Sequence, residues 1–177
     1  MTAVEIYESV TNGGASDFAA VIAILQRHGP WCLIGGLAVN CYVEPVYTVD
    51  ADIVVITERA GAIAEELAAA GFRVQRFPHS INAKKPQGDL NVQFTQDERY
   101  QPFLTRATSR QVLGQTVPVA GVRDIVQGKV WAWEDAQRRL SKRKKDELDL
   151  IRLGEAYPEL RVEMPRAIVA QLEGDTK

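Results

Sequence analysis

Apolar residues recur at Phe18, Val21, Ile22 and Leu25, the spacing of one helical face, after a Ser16-Asp17 start and before a Gly29-Pro30 stop. A short apolar run, Trp31-Cys32-Leu33-Ile34, then ends at Gly35-Gly36, and Leu37, Ala38, Val39 and Cys41 begin a second, short helix that Pro45 breaks. Residues 47–56 read as a β run, with Ile53, Val54, Val55 and Ile56 apolar enough for a strand buried on both faces. An alanine-rich helix over 59–70 is ended by Gly71, and residues 72–77 supply another strand. Residues 78–88 turn to Ser, Asn, Lys, Pro and Gly and read as a loop. Over 89–95, Leu90, Val92 and Phe94 alternate with Asp89, Asn91 and Gln93, the mark of a half-exposed strand. A short helix near 98–107 precedes a hairpin over 111–120 that turns at Gly114-Gln115, and Pro118 restricts its second arm to an edge. From Val122 the pattern is helical: Ile125, Val126, Val130, Trp131 and Trp133, then Leu148, Ile151 and Leu153 after a basic interval.

Composition narrows the function classes. The 177 residues, 46% apolar and 25% charged, suit one globular unit with a helical appendix. With no internal repeat and no long linker, the expected division is a core over 1–120 and a packed C-terminal helical segment over 121–177. A formal charge of −2 excludes a protein that coats nucleic acid by bulk electrostatics, so any polyanion site is local. No run approaches the ~18 apolar residues of a membrane span. Glu5, Glu8 and Asp17 interrupt the first twenty residues, where a leader would be basic and then apolar. The expectation is a cytoplasmic protein with no membrane partner. Cys32 and Cys41 are too few for a disulfide framework, and His28 and His79 share no zinc-ligand spacing with them. His28 reads as a helix-terminal residue.

Chemistry concentrates at Asp50 and Asp52. Two apart on a strand, both carboxylates point to one face, roughly 6–7 Å apart along the backbone. Two like charges leading into an apolar strand are costly unless a cation neutralises them. Hard Mg²⁺ removes the difficulty, bound by one or two carboxylates with substrate phosphates and water. The structural alternative is that both acids cap a turn with Thr48 and face water. The glycine pair, placed where a strand gives way to a helix, favours the functional reading, because backbone N–H groups at a helix start suit phosphate.

Leu33-Ile34-Gly35-Gly36-Leu37-Ala38-Val39-Asn40, followed by Thr48-Val49-Asp50-Ala51-Asp52-Ile53-Val54-Val55, resembles the signature of the nucleotidyltransferase superfamily with the polymerase-β-like palm. With Asp124-Ile125-Val126-Gln127-Gly128-Lys129 and Lys145-Asp146-Glu147-Leu148-Asp149-Leu150, it is most similar to the AbiEii-like branch, which includes toxins of toxin–antitoxin pairs. The resemblance implies an α+β fold, a small mixed, twisted sheet flanked by helices with a C-terminal helical segment. It also implies transfer of a nucleoside monophosphate from an NTP to an acceptor hydroxyl. Asp50 and Asp52 would hold Mg²⁺ or Mn²⁺, Gly35, Gly36 and Thr48 would approach the triphosphate, and Asp89 matches a third carboxylate that assists the attacking hydroxyl. Asp89 also reads simply as a solvent-facing residue closing the Gly88 turn, and Asp97 lies past the strand. Lys129 matches the lysine that reaches the phosphates, and Asp146 or Asp149 the acidic residue of the following helix, although two acids three apart after a basic run also read as an ordinary solvated helix start. Where many relatives carry Ser and Arg, this chain has Gly36 and Val46.

Arg138, Arg139, Lys142, Arg143, Lys144 and Lys145 form the one local patch strong enough for nucleic-acid phosphates, or else a solvated helix junction. Trp131 and Trp133, two apart on a helix, point in different directions, which leaves one available as a base-stacking or partner surface. The expected partners are an NTP, an RNA such as tRNA as acceptor, and an antitoxin protein. An aminoglycoside or a protein acceptor are variants. The competing class is a non-catalytic nucleotide-binding or protein-interaction module that retains the fold.

Overall fold

The computed structural model describes residues 1–174. Its centre is a seven-stranded mixed sheet in the order β3-β4-β5-β2-β1-β7-β6, with β1 Trp31–Ile34, β2 Asp50–Val55, β3 Arg73–Arg76, β4 Ser80–Lys84, β5 Asn91–Thr95, β6 Thr108–Val112 and β7 Gln115–Val119. Strand β2 lies antiparallel to β1 and parallel to β5, so the acid-bearing strand has a partner on each side. Ile53, Val54 and Val55 are fully buried, as the apolar run anticipates. Helices α2 (Gly14–Leu25) and α4 (Ala60–Ala69) pack their apolar faces, Phe18, Val21, Ile22 and Leu25 and Ile63, Ala64 and Leu67, against the sheet. Helix α3 (Gly35–Val39) follows β1 directly, and α5 (Val122–Glu134), α6 (Leu140–Ala156) and α7 (Arg166–Gly174) complete the chain. The buried set runs continuously from Phe18 to Leu172, so the C-terminal helices share the sheet's core. The fold is therefore α+β, a mixed twisted sheet flanked by helices with a helical C-terminal segment.

Several local expectations need correction. The segment read as a loop over 78–88 contains β4, whose Ile81 and Ala83 are buried while Asn82 and Lys84 take the opposite face. Strand pairing supplies what its weak apolar pattern lacks, since β4 is hydrogen-bonded on both sides. The hairpin starts earlier, at Thr108, and its turn is Leu113-Gly114, both at positive φ (47° and 81°) as a two-residue type I′ loop requires. Strand β7, despite Pro118, lies between β6 and β1, and β6 is the edge. A helix missed in the sequence, α1 (Ala3–Val10), is held by a capping box: Glu5 N–H donates to Thr2 Oγ1 at 3.2 Å and Thr2 N–H to Glu5 Oε2 at 2.6 Å. No described helix is long and apolar enough to cross a membrane.

Candidate active site

Strand register assembles one polar face from four strands. Asp50 stands beside Asn91, and Asp52 stands beside Gln93, then Asn82, then Gln75, in a row across β2, β5, β4 and β3. Residues in register share a face, and this one floors a cleft of about 740 Å³, roofed by α5 and α6 and bordered by Gly35, Gly36 and Thr48. The acid pair thus faces a cleft, with Thr48 Oγ1 accepting the Asp50 N–H at 3.2 Å.

The two carboxylates are unlike. Asp50 is ion-paired to Lys142 and accepts a hydrogen bond from Asn91 Nδ2 at 3.2 Å. Burial opposes its ionisation, but the Lys142 hydrogen bond and charge, with Asn91 and Lys145, hold its pKa below the usual carboxylate value. Among the described residues, no hydrogen bond or ion pair reaches the Asp52 carboxylate. Burial pushes its pKa up, Asp50 adds to the rise, and the charges of Lys129, Arg138 and Lys142 only partly offset it. Gly35 stands against it at φ +70°, and a Cβ there would lie 2.9 Å from both Asp52 Cβ and Cγ. At Gly36, by contrast, a Cβ would meet Thr48 Cγ2 at an ordinary 3.6 Å. The two glycines therefore differ: at Gly35 only a glycine lets the backbone approach Asp52, whereas at Gly36 a Cβ would fit against Thr48.

Lys129 and Asp146 come together at the cleft wall, as partners of each other. Lys129 Nζ lies 2.9 Å from Asp146 Oδ1 and 2.7 Å from Asp149 Oδ2. Arg138 Nε reaches Asp146 Oδ2 at 2.6 Å and Arg152 reaches Asp149 at 2.8 Å. Burial alone would lower the Lys129 pKa; Asp149 and Asp146 outweigh it and raise it, so the cation is fixed. Asp146 is 1% exposed. The acid spacing of α6 is thus a buried clasp between α5 and α6 at the cleft wall.

Asp89 is not brought to the pair. It precedes β5, its carboxylate accepts from Asn12 Nδ2 at 2.6 Å, and it is not among the cleft-lining residues. Register gives the neighbouring-strand position beside Asp50 to Asn91. Asp97 binds Arg99 at 2.7 Å, away from the cleft. Of the basic run, Arg138, Lys142 and Lys145 line the cleft, whereas Arg143 bonds the Trp133 carbonyl and Lys144 pairs with Glu147. Neither tryptophan is an open stacking surface: Trp131 stacks on Phe103 and carries the Arg99 guanidinium over its ring, and Trp133 Nε1 donates to Glu147 at 3.0 Å.

Sequence reasoning missed two positioning residues. Tyr7 donates its hydroxyl to the Thr48 carbonyl at 2.9 Å, and Asn40 brackets the Val46 peptide, donating to its carbonyl at 2.7 Å and accepting its N–H at 3.0 Å. Arg152 binds Asn40 and the Glu44 carbonyl from α6. The segment ahead of β2 is thereby clamped from three directions. Cys32 is a core thiol, pushed up to about 12 by burial and by Asp124, and His28 pairs with Glu66 at the end of α2.

The donor set suits a hard cation. Asp50, the unpartnered Asp52 and the Asn91 amide offer oxygens on one cleft-facing surface, and no described cluster of three or more acid, histidine or cysteine ligands would close such a shell alone.

No family model matches the chain, and no curated protein matches it. Among solved structures, it resembles the antibiotic-resistance factor ANT(2'')-Ia. The likeness to its complex with adenylyl-2''-tobramycin has a TM-score of 0.60 at 15% identity, covering 92% of this chain and 98% of that one. The solution structure of the same factor gives 0.58 at 19% identity, covering 91% and 95%. An antigenic nucleotidyltransferase-like protein from Paracoccidioides brasiliensis gives 0.56 at 18% identity, covering 94% and 90%. At these identities the likeness is one of architecture: the chain has the nucleotidyltransferase fold.

Proposed function

We propose that this protein transfers a nucleoside monophosphate from an NTP to an acceptor hydroxyl. The observation that carries the reading is the unpartnered Asp52, held against Gly35 beside Asp50 on the cleft floor. Asp50 and Asp52 would hold Mg²⁺ or Mn²⁺, which supplies charge neutralisation for the triphosphate. Gly35, Gly36 and Thr48 border the space for the phosphates, with Lys142 and Lys145, whose charges act on Asp50, lining the same cleft. The acceptor oxygen bonds to the α-phosphorus, the α–β bridging bond breaks, pyrophosphate leaves and the hydroxyl proton passes to solvent. Asn91 orients the acceptor through its carboxamide and takes no proton, so Asp89 is left out of the set. Lys129 with Asp146 acts as a rigid wall that fixes α6, and its lysine adds positive potential to the site.

An RNA acceptor, tRNA included, fits this cleft better than an aminoglycoside. Arg73, Lys84 and Lys145 line it without an ion-pair partner among the described residues, a field that repels a polycation. The AbiEii-like resemblance extends the proposal to a toxin role with an antitoxin protein as partner. A nucleotide-binding module without transfer is the second reading, favoured by Asn91 where a third carboxylate is expected. Incubation with each labelled NTP, Mg²⁺ and total RNA separates them. Transfer by the wild type and its loss in the Asp50→Asn, Asp52→Asn variant support the enzyme; NTP binding without transfer to RNA, protein or aminoglycoside supports the module.

A further inference from the structure

The cleft continues past the acid pair to a rim whose cations enter the transfer reading only as part of the cleft's charge. Arg73 on β3 stands directly opposite Lys84 on β4, and both line the cleft. Like charges directly opposite on a sheet destabilise it. Neither side chain has an ion pair or hydrogen bond among the described residues, so no described side chain relieves the repulsion. Lys84 lies two strands from β2 and Arg73 three, about 10 and 14 Å from the acid-bearing strand at the usual strand spacing. On the same face Asn91 and Gln93 of β5 lie between them and the acids, and Asn82 and Gln75 stand beside Lys84 and Arg73 in the next row, where the buried Asn82 Oδ1 has no hydrogen-bond partner. Amides donate and accept, so these suit hydroxyls or base edges, and the cation pair beside them suits an anion.

We propose that Arg73 and Lys84 form a phosphate-binding subsite that holds a phosphate of the acceptor while the acceptor hydroxyl reaches Asp50 and Asp52 across the β5 amides. The ligand chemistry is a phosphate ester, either a phosphodiester of an RNA strand or the phosphate of a small molecule. Its part in the reaction rests on the transfer reading above, but anion binding at the rim does not.

The test compares the wild type with Arg73→Gln, Lys84→Gln by fluorescence anisotropy with a labelled single-stranded RNA oligonucleotide over a salt series. A melting assay with inorganic phosphate and with each NTP plus Mg²⁺ accompanies it. Removing two cations that each neutralise one phosphate lowers the slope of log affinity against log salt by about 1.4, and affinity drops on the order of tenfold near 0.1 M salt. Arg73→Lys keeps the slope. With the repulsion gone, the double variant melts no lower than the wild type at low salt, which also shows that it folds. A reduced slope identifies the polynucleotide source. An unchanged RNA response, with a phosphate-induced rise in Tm in the wild type alone, identifies a small phosphate ester. Identical behaviour of both proteins toward both probes, including no binding, overturns the subsite. A difference at the rim in a wild type that shows no NTP response keeps the subsite and refutes the transfer reading.

Discussion

Replacing Gly35 by alanine puts a methyl group 2.9 Å from two carbons of Asp52, at a backbone φ of +70°. The left-handed conformation costs an L-residue about 1–2 kcal/mol. Forcing an extra carbon into a packed site typically costs about 1–3 kcal/mol more. The sum is about 2–5 kcal/mol if Asp52 holds its place, and less if its side chain rotates away, in which case the acid pair is lost instead. Gly36→Ala is the internal control. Its Cβ fits at 3.6 Å from Thr48 within a helix, where alanine is better than glycine by roughly 0.5–1 kcal/mol. Urea unfolding of the two variants, with nucleotide transfer measured in parallel, reads both branches. Gly35→Ala should lose either stability or transfer, and Gly36→Ala should keep its stability. In an Asp52→Ala background the cost of Gly35→Ala should fall measurably, because part of the clash is gone. A Gly35→Ala protein with wild-type stability and wild-type transfer refutes the reasoning.

Lys142→Met removes the counter-ion of Asp50. Because the folded pKa of Asp50 lies below its unfolded value, the pair's stabilisation is present above about pH 4 and is lost as pH falls through the folded value. Both side chains are about one-third exposed, so the gap between wild type and variant should be at most ~1 kcal/mol at pH 6 and should close in acid. Urea midpoints at pH 6 and below pH 4 check this; a gap that widens in acid contradicts it. Asp146→Asn leaves Lys129 and Arg138 short of a buried partner and should cost about 3 kcal/mol in the same assay. An effect within about 0.5 kcal/mol would remove the clasp from the account.

The local pattern along the chain carried the elements whose burial is one-sided or complete. The helix through Phe18 and Leu25, the strand at Ile53 to Val55 and the alternation of Val92 and Phe94 all fold as their spacing dictates. Gly35 and Asp52 also meet, because β2 pairs antiparallel with β1 and brings Asp52 opposite Ile34, the residue before the glycine. What escaped is set by pairing across long separations. Ser80 to Lys84 has only Ile81 and Ala83 as an apolar signal, between prolines, and becomes a strand because β3 and β5 flank it. Asp89 has the polar-face period of its segment, yet pairing starts at Asn91, and no local feature announces that register. The partners of Asp50, of Lys129 and of Thr48 come from α6 and α1, far along the chain, so the sequence names the acids without naming their electrostatic setting.

Mn²⁺ titrated into the protein with each non-hydrolysable NTP, and followed by electron paramagnetic resonance, tests the central claim most directly. The account predicts that bound Mn²⁺ appears in the presence of at least one NTP and disappears in the Asp50→Asn, Asp52→Asn protein, which otherwise melts cooperatively. Equal Mn²⁺·NTP binding by both proteins, or none by the wild type at millimolar nucleotide, contradicts it.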